Sequence, residues 1–109
     1  MTYQHRQLAG GRWQKLSLVE QLANVGSEVE RAMTWRTKNA EYSRLAFARA
    51  LELIDLTLAD VKNRRRCKEI ARLREVLGDY FAGDNVWQST DQLWRNFFYP
   101  FNYAARKNR

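Results

Sequence analysis

The apolar residues of this chain recur at helical spacing, in ladders set off by helix-start and turn signals. Leu18, Leu22, Val25, Val29 and Ala32 follow one another at steps of four, three, four and three, the stripe of an amphipathic helix. Ser17 and Glu20 stand three apart at its start, the capping-box spacing in which each side chain satisfies an orphan backbone N–H. Gly26 lies inside the stripe, where it costs about 1 kcal/mol relative to alanine. A glycine there predicts a close helix–helix approach. This helix is expected to end near Lys38.

Three further helices follow by the same reasoning. Phe47, Leu51, Ile54, Leu58 and Val61 form a second ladder, predicting a helix from Glu41 to Val61 with Ala46, Ala50 and Leu53 beside the stripe. Asn63 is the expected cap of a third, running from Arg64 to Phe81 with Cys67, Ile70, Leu73 and Leu77 on its apolar side. Gly83 is placed to close it in the left-handed conformation. Ser89 or Thr90 caps a fourth, whose aromatic face includes Trp94, Phe97, Phe98 and Phe101. Pro100 lacks an N–H and clashes with the carbonyl of Asn96, so it should kink or split that helix. The links are short, which makes successive helices antiparallel neighbours. The fold expected is all-α, an antiparallel up-down-up-down four-helix bundle over residues 17–107. Residues 1–16, with Gly10-Gly11 and no stripe, read as an N-terminal tail anchored by Trp13 and Leu16.

Composition excludes several classes. A chain of 109 residues is one domain with one modest core, and 45% hydrophobic residues with 13% aromatics argue against disorder. No apolar run approaches the roughly 20 residues of a membrane span. The opening Met-Thr-Tyr-Gln-His-Arg carries no apolar signal core, and the single cysteine, Cys67, cannot pair internally. A cytoplasmic location is the expectation.

Catalytic chemistry finds no foothold. The one histidine, His5, falls in the tail, and Cys67 sits on an apolar helix face with no histidine base in reach of sequence logic. No CxxC, HExxH, GxGxxG or Walker spacing occurs, nor the Glu-x-x-His pairs of a metal-binding bundle. The expectation is a non-enzyme without cofactor or metal. Glu28, Arg31, Asp55 and Arg74 lie near the stripes, where they either form interhelical ion pairs or sit at the stripe edges in water.

Charge is where function shows. The formal net charge is +7, and the stretch 62–74 alone carries +6, while residues 75–94 carry −4. Lys62, Arg64, Arg65, Arg66, Lys68 and Arg72 crowd this stretch, and Arg65, Lys68 and Arg72 share a helix face at steps of three and four. Arg106, Lys107 and Arg109 add a basic end. A polyanion partner, RNA or DNA, is the natural inference, with these nine residues on phosphates. The same pattern fits a solvated helix face or an acidic protein partner. Trp87 and Tyr99 offer stacking surfaces for unpaired bases, or pack.

The aromatics exceed what so small a bundle can bury, so a partner surface on the fourth helix is expected at Trp94, Phe98 and Tyr99. That surface serves either a homo-oligomer or an adaptor that docks another protein.

The runs Leu18–Trp35, Phe47–Thr57 and Phe101–Arg106 resemble small bacterial four-helix-bundle proteins. The group they resemble is the accessory variability determinant (Avd-like) proteins of diversity-generating retroelements, related in fold to bundles encoded in intervening sequences of large ribosomal RNA genes. The resemblance spans residues 16–106 and rests on architecture, size and basicity. It implies a basic, non-enzymatic, ring-like homo-oligomer, often a pentamer, that binds the element's reverse transcriptase and its template RNA. It transfers no individual binding residue.

Overall fold

The computed structural model of the chain describes residues 11–107. Within them lie four α-helices: α1 (Leu18–Trp35), α2 (Ala40–Ala59), α3 (Cys67–Ala82) and α4 (Asp91–Lys107). Two 3₁₀ segments precede α1 and α3, at Trp13–Lys15 and Val61–Arg66. The expected all-α four-helix bundle is what forms. No helix among the described residues is long and apolar enough to cross a membrane.

The start of α1 is the capping box that the sequence spells. Glu20 N donates to Ser17 Oγ at 3.1 Å, and Ser17 N donates to Glu20 Oε1 at 2.9 Å. The helix buries Leu22, Val25, Val29, Ala32 and Met33, and it packs against both α2 and α4. Gly26 supports the α4 contact. A Cβ built on it would lie 2.8 Å from Cγ and Cδ1 of Phe98, so only glycine lets that ring approach.

The dry line of α2 differs from the expected ladder. Ser43, Ala46, Ala50, Leu53 and Thr57 are buried together with Ile54 and Leu56, whereas Leu51 and Leu58 are half-buried and Val61 is 79% exposed. The reason is packing on α1 by small side chains. Ser43 Oγ, at the head of that line, donates to the Ala32 carbonyl of α1 at 2.6 Å. On the other side Arg74 of α3 forks onto Asp55 of α2 at 2.8 and 3.3 Å. Glu28 of α1, buried, takes Arg31 at 2.9 Å and Arg49 of α2 at 3.2 Å. Glu28 with Arg49 and Asp55 with Arg74 are therefore interhelical ion pairs, while Arg31 pairs within α1 and, like Asp55 and Arg74, stays open to water.

Two local expectations, at Asn63 and Gly83, need correction. Asn63 does not cap α3. It is buried in the 3₁₀ segment, and its amide donates to Gln21 Oε1 at 2.9 Å and to the Thr57 carbonyl at 3.0 Å. Gly83 is extended (φ −108°, ψ −154°), and the left-handed residues come later, at Asn85 and Gln88. Of the two caps expected for α4, Thr90 is the one that forms, accepting from Leu93 N at 3.1 Å. Pro100 does not split α4, which runs through it. Both Pro100 and Asn96 are exposed, so the carbonyl that loses its partner faces water.

The anchor expected at Trp13 and Leu16 forms. Residues 1–10, including His5, lie outside the described residues, but Trp13 is fully buried and belongs to the core. Its indole N–H donates to Thr57 Oγ1 at 3.0 Å, and its carbonyl accepts from Gln21 Nε2 at 2.9 Å.

The bundle is closed on three sides. α1 packs on α2 and α4, and α2 packs on α3, while α3 and α4 share little backbone contact. They are tied where the chain turns between them: the Tyr80 hydroxyl donates to the Asp91 carboxylate, and Arg36 of α1 reaches Asp91 at 3.5 Å. Beyond that tie an apolar groove of about 430 Å³ opens between Ile70, Leu73 and Val76 of α3 and Phe97 and Phe101 of α4, with Leu18 and Leu22 of α1 also lining it.

Candidate nucleic-acid interface

The cationic stretch changes backbone form in its middle. Asp60 ends α2 and caps the 3₁₀ segment, its carboxylate accepting from Lys62 N at 3.2 Å. Val61 to Arg66 then wind as 3₁₀, and α3 begins at Cys67. Arg66, at the N-cap of α3, supplies no side-chain cap. Arg64, Arg65 and Arg66 therefore stand where the helix dipole is already positive, so their charge and the dipole add toward an anion.

The structure sorts the nine expected phosphate contacts. Arg64, Arg65 and Lys68 are exposed and make no ion pair among the described residues. Arg66 and Arg72 are exposed but reach Glu69 and Glu75, at 3.3 and 3.8 Å. Pairs this open to water contribute little and can exchange partners. Arg106 and Lys107 are exposed at the end of α4, and Arg109 lies outside the described residues.

Lys62 is a correction. Its side chain is partly exposed, but its ammonium is already held by the buried Asp60 carboxylate and by the Gln14 carbonyl at 3.0 Å. Asp60 also accepts from Gln21 Nε2 at 2.9 Å. Burial pushes the Asp60 carboxyl up, but the bonds from Lys62 and Gln21 outweigh it and hold it below its ordinary 3.8.

The partner surface expected on α4 is corrected likewise. Trp94 and Phe98 are 6% and 3% exposed and belong to the core of the chain. Only Tyr99 of the three is open. The exposed apolar side chains of α4 are instead Leu93, Phe97, Tyr99 and Tyr103. Trp94 Nε1 is buried without a hydrogen-bond partner among the described residues.

Periodicity could not reveal one further arrangement. The loop after α3 is pinned by Asp79, whose carboxylate accepts from Val86 N at 2.9 Å and Trp87 N at 3.0 Å. Asn85 locks it from within, exchanging bonds with Ser89 N at 2.8 Å and Ser89 O at 3.1 Å. Asn85 and Gln88 hold φ of +54° and +55°, a conformation that costs a non-glycine residue on the order of 1 kcal/mol. This fixed loop sets Trp87 against Arg72 of α3, with the guanidinium carbon 5.0 Å from the ring centroid. Asp79 had no signal in sequence, because its partners are backbone amides seven and eight residues on.

Among the described residues no cluster of His, Cys, Asp and Glu could hold a metal ion. Cys67 is half-buried at the start of α3. No protein-family model matches the sequence, and no match was found among curated proteins or solved structures.

Proposed function

We propose that this chain is a non-enzymatic, basic accessory protein that binds nucleic acid through the 3₁₀ segment and the first turns of α3. One observation carries the reading. Arg31, Arg36, Arg44, Arg49, Arg74 and Arg95 are each held by a carboxylate, whereas Arg64, Arg65 and Lys68, close together in sequence, are held by none among the described residues. Like charges gathered without counter-charges are costly unless something else neutralises them. A phosphate backbone does so and releases its condensed cations. The retroelement resemblance makes RNA the nucleic acid of choice and adds a reverse transcriptase and a homo-oligomer to the proposal.

Anisotropy of a labelled structured RNA and an equal-length DNA duplex, titrated across salt, tests this. Three neutralised phosphates weaken binding about 20- to 40-fold between roughly 50 and 200 mM salt. The triple reversal Arg64→Glu, Arg65→Glu and Lys68→Glu should abolish binding with helicity intact. Wild-type protein that binds neither ligand at 50 mM salt rules the reading out.

The groove between α3 and α4 favours a second reading, an adaptor. Phe97 lines it while 43% exposed, so an apolar segment of a partner could enter there. In that case Phe97→Glu abolishes partner capture and the charge reversals do not.

A further inference from the structure

The loop that carries Trp87 is built to hold an aromatic ring outside the core. Trp87 is 48% exposed, yet its own amide and that of Val86 are fixed by Asp79, so the ring's base does not wander. A side chain placed by a buried contact would need no such clamp. The ring instead meets Arg72, whose guanidinium carbon sits 5.0 Å above it. Arg72 in turn follows Lys68 by four residues, about 6 Å along the axis of α3, and Arg65 precedes Lys68 by three. Lys68 and Arg72, four apart on α3, thus share a helix face, and the open indole lies against Arg72.

We propose that Trp87, with Arg72 against its ring, is a stacking platform for an unpaired nucleobase at the end of the cationic face, so that the site prefers single-stranded nucleic acid to duplex. This rests on the nucleic-acid reading above and names the ligand class within it. A base inside a duplex has both faces taken by its neighbours, and only a splayed base can lie on the indole. Phosphates flanking such a base fall to Arg72 and Lys68, and those further along to Arg65. The Arg72–Trp87 contact pre-places the guanidinium, so less side-chain freedom is lost when a strand binds.

The test compares a labelled single-stranded RNA with the duplex of the same sequence and length, using anisotropy at fixed salt. Wild-type protein should favour the single strand. Trp87→Ala should weaken single-strand binding by on the order of five- to a hundredfold and leave duplex binding within about twofold. Trp87→Phe should retain most of the single-strand affinity, which separates stacking from folding. Circular dichroism of both variants should match wild type, because the ring lies outside the core. Unchanged single-strand affinity in Trp87→Ala, or an equal loss on both ligands, overturns the platform while leaving the charge-based reading in place. Loss of all binding in wild type overturns both.

Discussion

The indole N–H of Trp13 donates to the Thr57 hydroxyl at 3.0 Å, and that hydroxyl donates onward to the Leu53 carbonyl at 2.7 Å. The bond joins residues 44 apart and draws the segment before α1 into the core at the end of α2. Trp13→Ala should therefore cost about 3–5 kcal/mol, a large share of the 5–15 kcal/mol that holds a domain together. Trp13→Phe fills much of the space and should cost less than half of that. Urea denaturation checks both. A loss under 1 kcal/mol for the alanine variant would mean the segment is not part of the folded core.

Asp60 makes stability depend on acid. Its carboxyl is held below 3.8 in the folded chain, where it is bound by Lys62 and Gln21, and it returns to the ordinary value when the chain unfolds. A depressed folded value contributes stability that is present above the unfolded pKa and is lost as pH falls through the folded one. Wild-type protein should lose this contribution below about pH 4. Asp60→Asn should be less stable than wild type at pH 7, and the gap should narrow steadily in acid. Urea midpoints taken at pH 7, 5 and 3 measure the gap directly, and a constant difference would show that Asp60 does not titrate between the two states.

Short-range chemistry was readable in the sequence, and long-range partnership was not. The capping box at Ser17 and Glu20 acts within one turn of chain, and it forms as spelled. The close approach expected at Gly26 forms too, against the Phe98 ring. Asn63 looked like a cap because its real partner, Gln21, lies 42 residues away. Lys62 looked free because Asp60 had no sign of burial in sequence. On α4, the aromatic count pointed to a surface but could not say which rings face inward. Trp94 and Phe98 turned out to be the inward pair, four apart, while Phe97 and Tyr99 on either side of Phe98 remain open.

Two glycines should respond to the same substitution with opposite signs. At Gly26 an added methyl meets the Phe98 ring at 2.8 Å, and the backbone of α1 or α4 must shift to admit it. Gly26→Ala should lose about 1–3 kcal/mol net, in spite of the better helix propensity of alanine. Adding Phe98→Leu should recover part of that loss, since the two sites are coupled through one contact. Gly78, inside α3, has nothing within 4 Å of its would-be methyl. Gly78→Ala should gain up to about 1 kcal/mol. Thermal melts of the single and double variants settle the signs.

Lys62 and Lys68 carry the same charge within two turns of each other, yet they should fail in different assays. The Lys62 ammonium neutralises a buried carboxylate, and removing it leaves Asp60 with its charge out of water. Lys62→Ala should therefore destabilise the fold by about 1–3 kcal/mol, less than for a fully buried pair because the ammonium is open to water, and leave the salt slope of nucleic-acid binding unchanged. Lys68 is exposed and has no ion-pair partner among the described residues. Lys68→Ala should leave stability within about 0.5 kcal/mol and reduce the salt slope by close to one counterion. Denaturation and salt titration on the two variants form a cross-over. If Lys62→Ala flattened the slope and Lys68→Ala did not, the contact surface would have to be moved from the start of α3 toward the end of α2.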